Sequence, residues 1–346
     1  MEKPVALAVL GAGLIGRRHI EHILACPGAS LHSIVDPAPA ARDFAQARGF
    51  VWHPDFQSML AAGKPEGVVA ATPTRLHVAN GLDAVAAGIP ALIEKPLADD
   101  VADAERLVAA AEAAGVPLLV GHHRRHNPMI ARAKAVIEEG RLGALVAVHA
   151  FFWLMKPRDY FDAAWRREAG AGPVLTNLIH DIDLLRWLCG EITGVQAMQS
   201  NAARGFAVED TAVAILQFAS GALGTVTVSD TAVAPWSWEQ TSGENPAYPR
   251  TGETCYHIAG TKGALSVPRL EVWTNAEKSG WFEPFSAERV IAADADPLRL
   301  QIAHFCRVAR GLEAPLVSGR EGLKTLRVIA ALKEAAACGA LTEVAA

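Results

Sequence analysis

From Val5 to Gly121 the chain alternates short, largely apolar runs with alanine-rich stretches of helical period, and few folds accommodate that alternation. The apolar runs are Val5–Leu10, Leu31–Val35, Gly67–Ala71, Ala91–Glu94 and Pro117–Gly121. Between them lie helical patterns such as Gly13–Leu24, Thr74–Ala87 and Val101–Ala114. A strand that is apolar throughout has no face for water and must be covered on both sides. Strands of that kind separated by helices predict a doubly wound parallel sheet between two helical layers.

Beyond about residue 140 the pattern changes. A long strand-like run, Ala144–Trp153, precedes a helical stretch at Val174–Leu188. Strand patterns follow at Gly194–Gln199, Thr211–Phe218, Leu223–Ser229, Cys255–Ala259 and Ala264–Val267, with glycine-rich breaks between several of them. Strands that follow strands predict an antiparallel or mixed sheet with one helical face. Pro235–Thr251 reads as a long loop, and Leu298–Ala337 as two helices joined near Gly311–Gly319. The chain is therefore read as α/β, with a dinucleotide-type domain over 1–122 and a second domain over 123–346 whose C-terminal helices return toward the first.

Composition removes several classes of function. Of the 346 residues 51% are apolar and 20% charged, with a net charge of −5 and no block of like charge. That argues against a nucleic-acid footprint and against a polybasic membrane patch. The five cysteines are scattered and form no C-x-x-C pair. Buried thiols in a reducing compartment account for them better than zinc or disulfides do. The N-terminus lacks the apolar region of a signal peptide, and no apolar stretch approaches the ~20 residues that span a bilayer. The expected location is the cytoplasm.

The run Gly11-Ala12-Gly13-Leu14-Ile15-Gly16 fits G-x-G-x-x-G, follows an apolar strand, opens a helix, and has Asp36 twenty residues after its last glycine. That context points to a Rossmann dinucleotide site. Gly11 permits the tight turn, Gly13 lets a pyrophosphate approach, and Gly16 lets helix and strand pack closely. The amides of Leu14 and Ile15 open the helix N-terminus, which favours the phosphate charge. The Asp36 carboxylate suits ribose hydroxyls and repels a 2′-phosphate, and Pro37-Ala38-Pro39 supplies no arginine to neutralise one. NAD is expected rather than NADP.

Two further stretches carry chemistry. Glu94-Lys95-Pro96 ends a strand, and ligands of doubly wound sheets sit outside strand carboxyl ends. Thr176-Asn177-Leu178-Ile179-His180-Asp181-Ile182-Asp183 places Thr176, His180 and Asp183 on one face of a regular helix. A histidine beside a carboxylate can act as a general base near neutral pH. The run His122-His123 with His126 is not by itself an oriented ligand set, so no metal is assigned.

Taken in order, these motifs resemble the Gfo/Idh/MocA family of oxidoreductases. The likeness runs through Gly11–His19, Ala71-Thr72-Pro73 with His77, Glu94-Lys95-Pro96, His122 to Pro128, His180-Asp181-Ile182-Asp183, Ala259 to Leu265 and the tail from Gln301 to Leu326. The resemblance implies a C-terminal domain with a large, mostly antiparallel open sheet that joins copies into a homodimer or homotetramer. It implies hydride transfer between NAD and a CH–OH carbon of a sugar, inositol or related polyol. Lys95 and His180 take the positions that flank the reacting hydroxyl. Gly11, Gly13, Leu14, Ile15, Gly16, Asp36, Thr72, Pro73, His77, Glu94 and Lys95 are expected around the cofactor. Arg124, Thr176 and Asn177 are expected to position substrate, and Trp236 and Trp238 to offer aromatic faces to it or to pack. Thr176, Leu178 and His122-His123 depart from the usual family residues, which opens the alternative of a cyclic diol or aromatic-derived hemiacetal. A non-catalytic NAD-binding regulator on the same fold is the alternative outside enzymes.

Overall fold

The computed structural model describes residues 3–275 and 278–345. The chain divides into two compact units. The first runs through His126 and takes in Ala295–Leu326; the second is Asn127–Asp294 with the chain from Arg327 onward.

The first unit holds six parallel strands: β1 (Val5–Leu10), β2 (Ala29–Val35), β3 (Trp52–His53), β4 (Gly67–Ala70), β5 (Ala91–Ile93) and β6 (Leu118–Val120), in the order β3-β2-β1-β4-β5-β6. The parallel sheet read from the apolar runs is thus present, with β3 added at its edge. Leu14–Ala25, His77–Ala86 and Val101–Ala114 are helical as their period predicts. Asp100 caps the last of them through a 2.8 Å hydrogen bond from Asp103 N, which satisfies one of the amides a helix start leaves over. Leu7, Val9, Val69 and Leu92 from the strands are buried with Ile20 and Ile23 from the first helix, and with Ile302 and Phe305 from helix Pro297–Ala309. The late segment is therefore part of this core. Its start is pinned by Asp296, which accepts from Leu298 N at 2.9 Å, with Pro297 at the first helical position.

The second unit carries nine strands: β7 (Leu145–Trp153), β8 (Ile192–Ser200), β9 (Thr211–Phe218), β10 (Leu223–Ser229), β11 (Tyr256–Gly260), β12 (Gly263–Val267), β13 (Glu271–Asn275), β14 (Phe285–Arg289) and β15 (Thr342–Glu343). Their order is β14-β13-β12-β11-β7-β10-β9-β8-β15. All pairings are antiparallel except β7 with β10. Helices Pro128–Glu138 and Ile179–Cys189 share one core with the inward side chains of the sheet, together with Val328, Ile329 and Leu332 from helix Gly319–Cys338.

The opposite sheet face is open. Register places Met198, Val213, Ile215, Thr225, His149, Phe151, His257 and Trp273 on it. Met198, Val213, Ile215 and Trp273 are exposed. Strands β13, β14 and β15 were not anticipated from the sequence. The loop read over Pro235–Thr251 contains a helical turn, Trp238–Ser242, capped by Ser237. No helix among the described residues is long and apolar enough to cross a membrane.

Candidate active site

The glycine loop between β1 and the first helix has the geometry its residues predict. Gly11 adopts φ +88°, and a Cβ there would lie 2.8 Å from Ala71 O. A Cβ on Gly16 would lie 2.0 Å from Gly11 O, so only glycine lets the helix approach the turn this closely. Around Gly13 nothing lies within 4 Å of the same position, which leaves the approach a pyrophosphate needs. No side chain caps the helix that starts at Leu14, and Leu14 is 93% exposed. Unused amides at a helix start in open space suit a phosphate. These residues fit a bound dinucleotide.

Asp36 follows β2, and its carboxylate is engaged by backbone. Its Oδ2 accepts from Ala12 N and its Oδ1 from Ala38 N, both at 2.8 Å. The carboxylate therefore braces the glycine loop. Trp52 Nε1 donates to Asp36 O at 2.9 Å, which ties β3 to the same corner. Arg17 Nε donates to Ala12 O at 3.0 Å and its guanidinium lies 4.3 Å from the Phe44 ring centre. Folding thus brings an arginine to the loop that Asp36 braces, although none stands beside Asp36 in sequence.

At the carboxyl ends of β4 and β5 a second group of residues is locked together. Glu94 is buried and its Oε1 lies 2.7 Å from His19 Nε2, while its Oε2 accepts from Lys95 N at 3.2 Å. Burial pushes the Glu94 carboxyl up; the hydrogen bond and charge of His19, with the charges of Lys95 and His123, overcome it and hold it at about 2. Glu94 is thus a support for the turn rather than a group held out to a ligand. Thr72 Oγ1 donates to Asn80 Oδ1 at 2.7 Å. His77 is 1% exposed, with Nδ1 2.7 Å from Pro96 O and Nε2 2.8 Å from Thr72 O. Both its nitrogens are engaged by backbone, so its part in the site is carried by the two turns. Lys95 itself is only partly buried, and the Lys95–Pro96 peptide is cis.

In the second unit, His180 sits in the first turn of helix Ile179–Cys189 and is 7% exposed. The preceding turn, Val174–Leu178, is π-helical. That wider turn closes i→i+5 rather than i→i+4 hydrogen bonds, so Thr176 does not lie on a regular α-helix with His180. Thr176 Oγ1 lies 2.9 Å from both Gly172 O and Asn177 Oδ1. Glu209 Oε1 accepts from Val174 N at 3.1 Å and fixes the start of the turn. Asp181 and Asp183 are both buried. The Tyr256 hydroxyl donates to Asp181, and the Tyr256 ring stacks on Trp238 at 6.0 Å between centroids.

Trp238 therefore belongs to the core behind the histidine helix: it is 1% exposed and its Nε1 donates to Glu244 Oε2 at 2.9 Å. An offered aromatic face at that position is not what the structure shows, because residues 237–242 fold into a helical turn that points the indole inward. Trp236 instead lines a groove of about 580 Å³ on the open sheet face with Phe151, Trp153, His257 and Trp273. Arg124 is buried in the 3₁₀ turn His123–His126. The His126 and His304 rings lie 5.1 Å apart between centroids, tilted by 50°; among the described residues no three His, Cys, Asp or Glu groups converge as metal donors. His19, Asn80, Tyr256 and Glu209 were not singled out individually. His19 ends the glycine motif and Asn80 lies eight residues after Thr72; Tyr256 and Glu209 reach their partners from distant segments.

Comparison with known proteins agrees with this geometry. Residues 5–122 match the model of an oxidoreductase family with an NAD-binding Rossmann fold, and residues 130–266 match the GFO/IDH/MocA C-terminal domain. The rhizopine catabolism protein MocA of Rhizobium meliloti is 31% identical over 185 residues, 54% of this chain; the match spans 57% of that relative. Inositol 2-dehydrogenase 4 of Saccharopolyspora erythraea is 33% identical over 65% of this chain and 67% of its own length. The crystal structure of the WlbA dehydrogenase from Bordetella pertussis, in complex with NADH and UDP-GlcNAcA, superposes with a TM-score of 0.81. It is 29% identical, and the match covers 99% of this chain and 100% of that one. With both domain models, their order and the glycine loop in agreement, the chain belongs to the Gfo/Idh/MocA family of oxidoreductases.

Proposed function

We propose that the chain is an NAD-dependent dehydrogenase acting on a secondary alcohol or lactol carbon of a sugar, inositol or related polyol. One observation carries the reading: a glycine loop fitted to a dinucleotide shares its sheet with a partly buried lysine at the carboxyl end of β5, the end where such sheets take their ligands. The names of the inositol dehydrogenase and WlbA relatives support the substrate class. NAD, when bound, supplies the hydride acceptor. Gly11, Gly13, Gly16 and the Leu14 and Ile15 amides hold its pyrophosphate, and Asp36 its adenosine ribose. Thr72 and Pro73 line the nicotinamide half, with Glu94 and His77 behind them.

His180 takes the hydroxyl proton as general base. The Lys95 ammonium stabilises the oxygen as negative charge develops on it. Arg124, Thr176 and Asn177 position the substrate. Trp236 we assign to the open sheet face. A second copy of the chain covers that face, since an apolar patch running across several strands is a liability for a monomer. The buried free thiols of Cys26, Cys189 and Cys306 support a reducing, cytoplasmic setting.

The test follows NADH formation with myo-inositol, scyllo-inositol, aldoses and a uronic acid as candidate substrates, alongside NADH binding. Turnover on at least one, lost by about 10²-fold or more in Lys95→Met and in His180→Ala, is the expected result. Tight NADH binding with no turnover on any polyol or sugar acid would overturn the catalytic reading in favour of an NAD-binding regulator.

A further inference from the structure

The His77 ring lies between two acceptors. Pro96 O is 2.7 Å from Nδ1 and Thr72 O is 2.8 Å from Nε2. A carbonyl oxygen can only accept, and a neutral imidazole carries a single N–H. With one proton, one of these contacts would set lone pair against lone pair at hydrogen-bond distance. The ring is 1% exposed, so bulk water does not stand in as the missing donor.

We propose that His77 donates from both ring nitrogens and so ties the Thr72 turn to the Pro96 turn, holding the backbone from which Lys95 projects. Thr72 follows β4 and Lys95 follows β5, and these strands are parallel neighbours. Their carboxyl ends are where a dinucleotide reads this kind of sheet. Helix His77–Ala86 reaches the Thr72 turn a second time, through Asn80 and the Thr72 hydroxyl. One helix thus sets the spacing between a turn that lines the cofactor and the turn that presents the lysine. His77 is a positioning residue. It acts through Lys95, and in that respect the inference rests on the catalytic reading of Lys95.

The decisive measurement needs no substrate. Full-length protein labelled with ¹⁵N-histidine, with NAD present at neutral pH, is examined by long-range ¹H–¹⁵N correlation, and His77 is assigned by its loss in His77→Gln. Both ring nitrogens are expected to be protonated. A neutral ring with one bare nitrogen overturns the proposal. The functional arm compares His77→Phe, His77→Gln and Lys95→Met on whichever polyol gives turnover. His77→Phe should lower kcat about tenfold or more, as loss of orientation does, with the KM for NAD within about threefold. His77→Gln, which keeps one donor, should recover part of that loss. Unchanged kcat in His77→Phe, or equal losses in both variants, removes the positioning role. Full activity in Lys95→Met would instead sink the reading of Lys95, while the protonation of the ring stays decided by the spectrum.

Discussion

Replacing Asp36 with alanine should both narrow cofactor discrimination and weaken cofactor binding, because the carboxylate braces the glycine loop and, in the proposed function, also meets the ribose. Toward the ligand, two unit charges 4 Å apart in water repel by about 1 kcal/mol. A 2′-phosphate carries nearly two charges, so the carboxylate disfavours NADPH by about 2 kcal/mol, or roughly 30-fold. Toward the protein, Asp36 accepts from Ala12 N and Ala38 N at 2.8 Å. Hydrogen bonds to a charged group contribute about 1.5–3 kcal/mol each when buried. The Ala38 contact is exposed and the Ala12 contact part-buried, so a combined loss near the low end, about 1.5 kcal/mol, is expected. NADH should therefore bind Asp36→Ala about tenfold more weakly, while the NADH-to-NADPH ratio falls by about 30-fold. Asp36→Asn keeps an acceptor for one amide and loses the charge. It should relax discrimination with less damage to NADH binding. The Trp52 indole hydrogen-bonds to Asp36 O, so tryptophan emission quenched by the reduced dinucleotide is a suitable assay. An unchanged ratio in both variants, or a wild-type protein that binds NADPH as tightly as NADH, would refute the reasoning and point to Arg17 as the residue that offsets the carboxylate.

Three other outcomes follow from the structure. His180→Ala should lower kcat by about 10² or more, whereas Thr176→Ala should mainly raise KM; near-normal kcat in His180→Ala would make the histidine structural. Glu94 titrates at about 2 in the folded chain, below its ordinary 4.5. Its stabilisation is thus complete above about pH 4.5 and is lost as pH falls toward 2, by up to about 3 kcal/mol. Glu94→Gln should flatten the fall of Tm over that acid range, and an unaltered slope would show that the His19 pair contributes nothing. On the open sheet face, Ile215→Lys should convert an oligomer into monomer in sedimentation velocity, and an unchanged oligomer would place the subunit contact elsewhere.

The sequence by itself determined whatever depends on near neighbours. Burial of a parallel strand on both faces writes itself as a largely apolar run, so strands β1, β2, β4, β5 and β6 were legible. Gly11 and Gly16 were legible because the positive φ of Gly11 and the close approach of Gly16 to Gly11 O are constraints that act within six residues, whereas the Ala71 carbonyl that a Cβ on Gly11 would also meet comes from another strand. Short or exposed elements left no such trace. Strand β3 is Trp52–His53 alone, β15 is Thr342–Glu343, and every residue of β14 is exposed, so none carries a burial pattern. The parallel placement of β10 against β7 joins residues some 75 positions apart; no local period encodes which strand will be a neighbour. Tertiary structure alone turned Trp238 from a loop aromatic into a core residue stacked on Tyr256. It also paired His19 with Glu94 and closed His77 between Thr72 and Pro96. Those contacts form only when turns from separate strands meet at one end of a sheet. The identity of a turn residue is local, but its partners are decided by the order in which the strands lie.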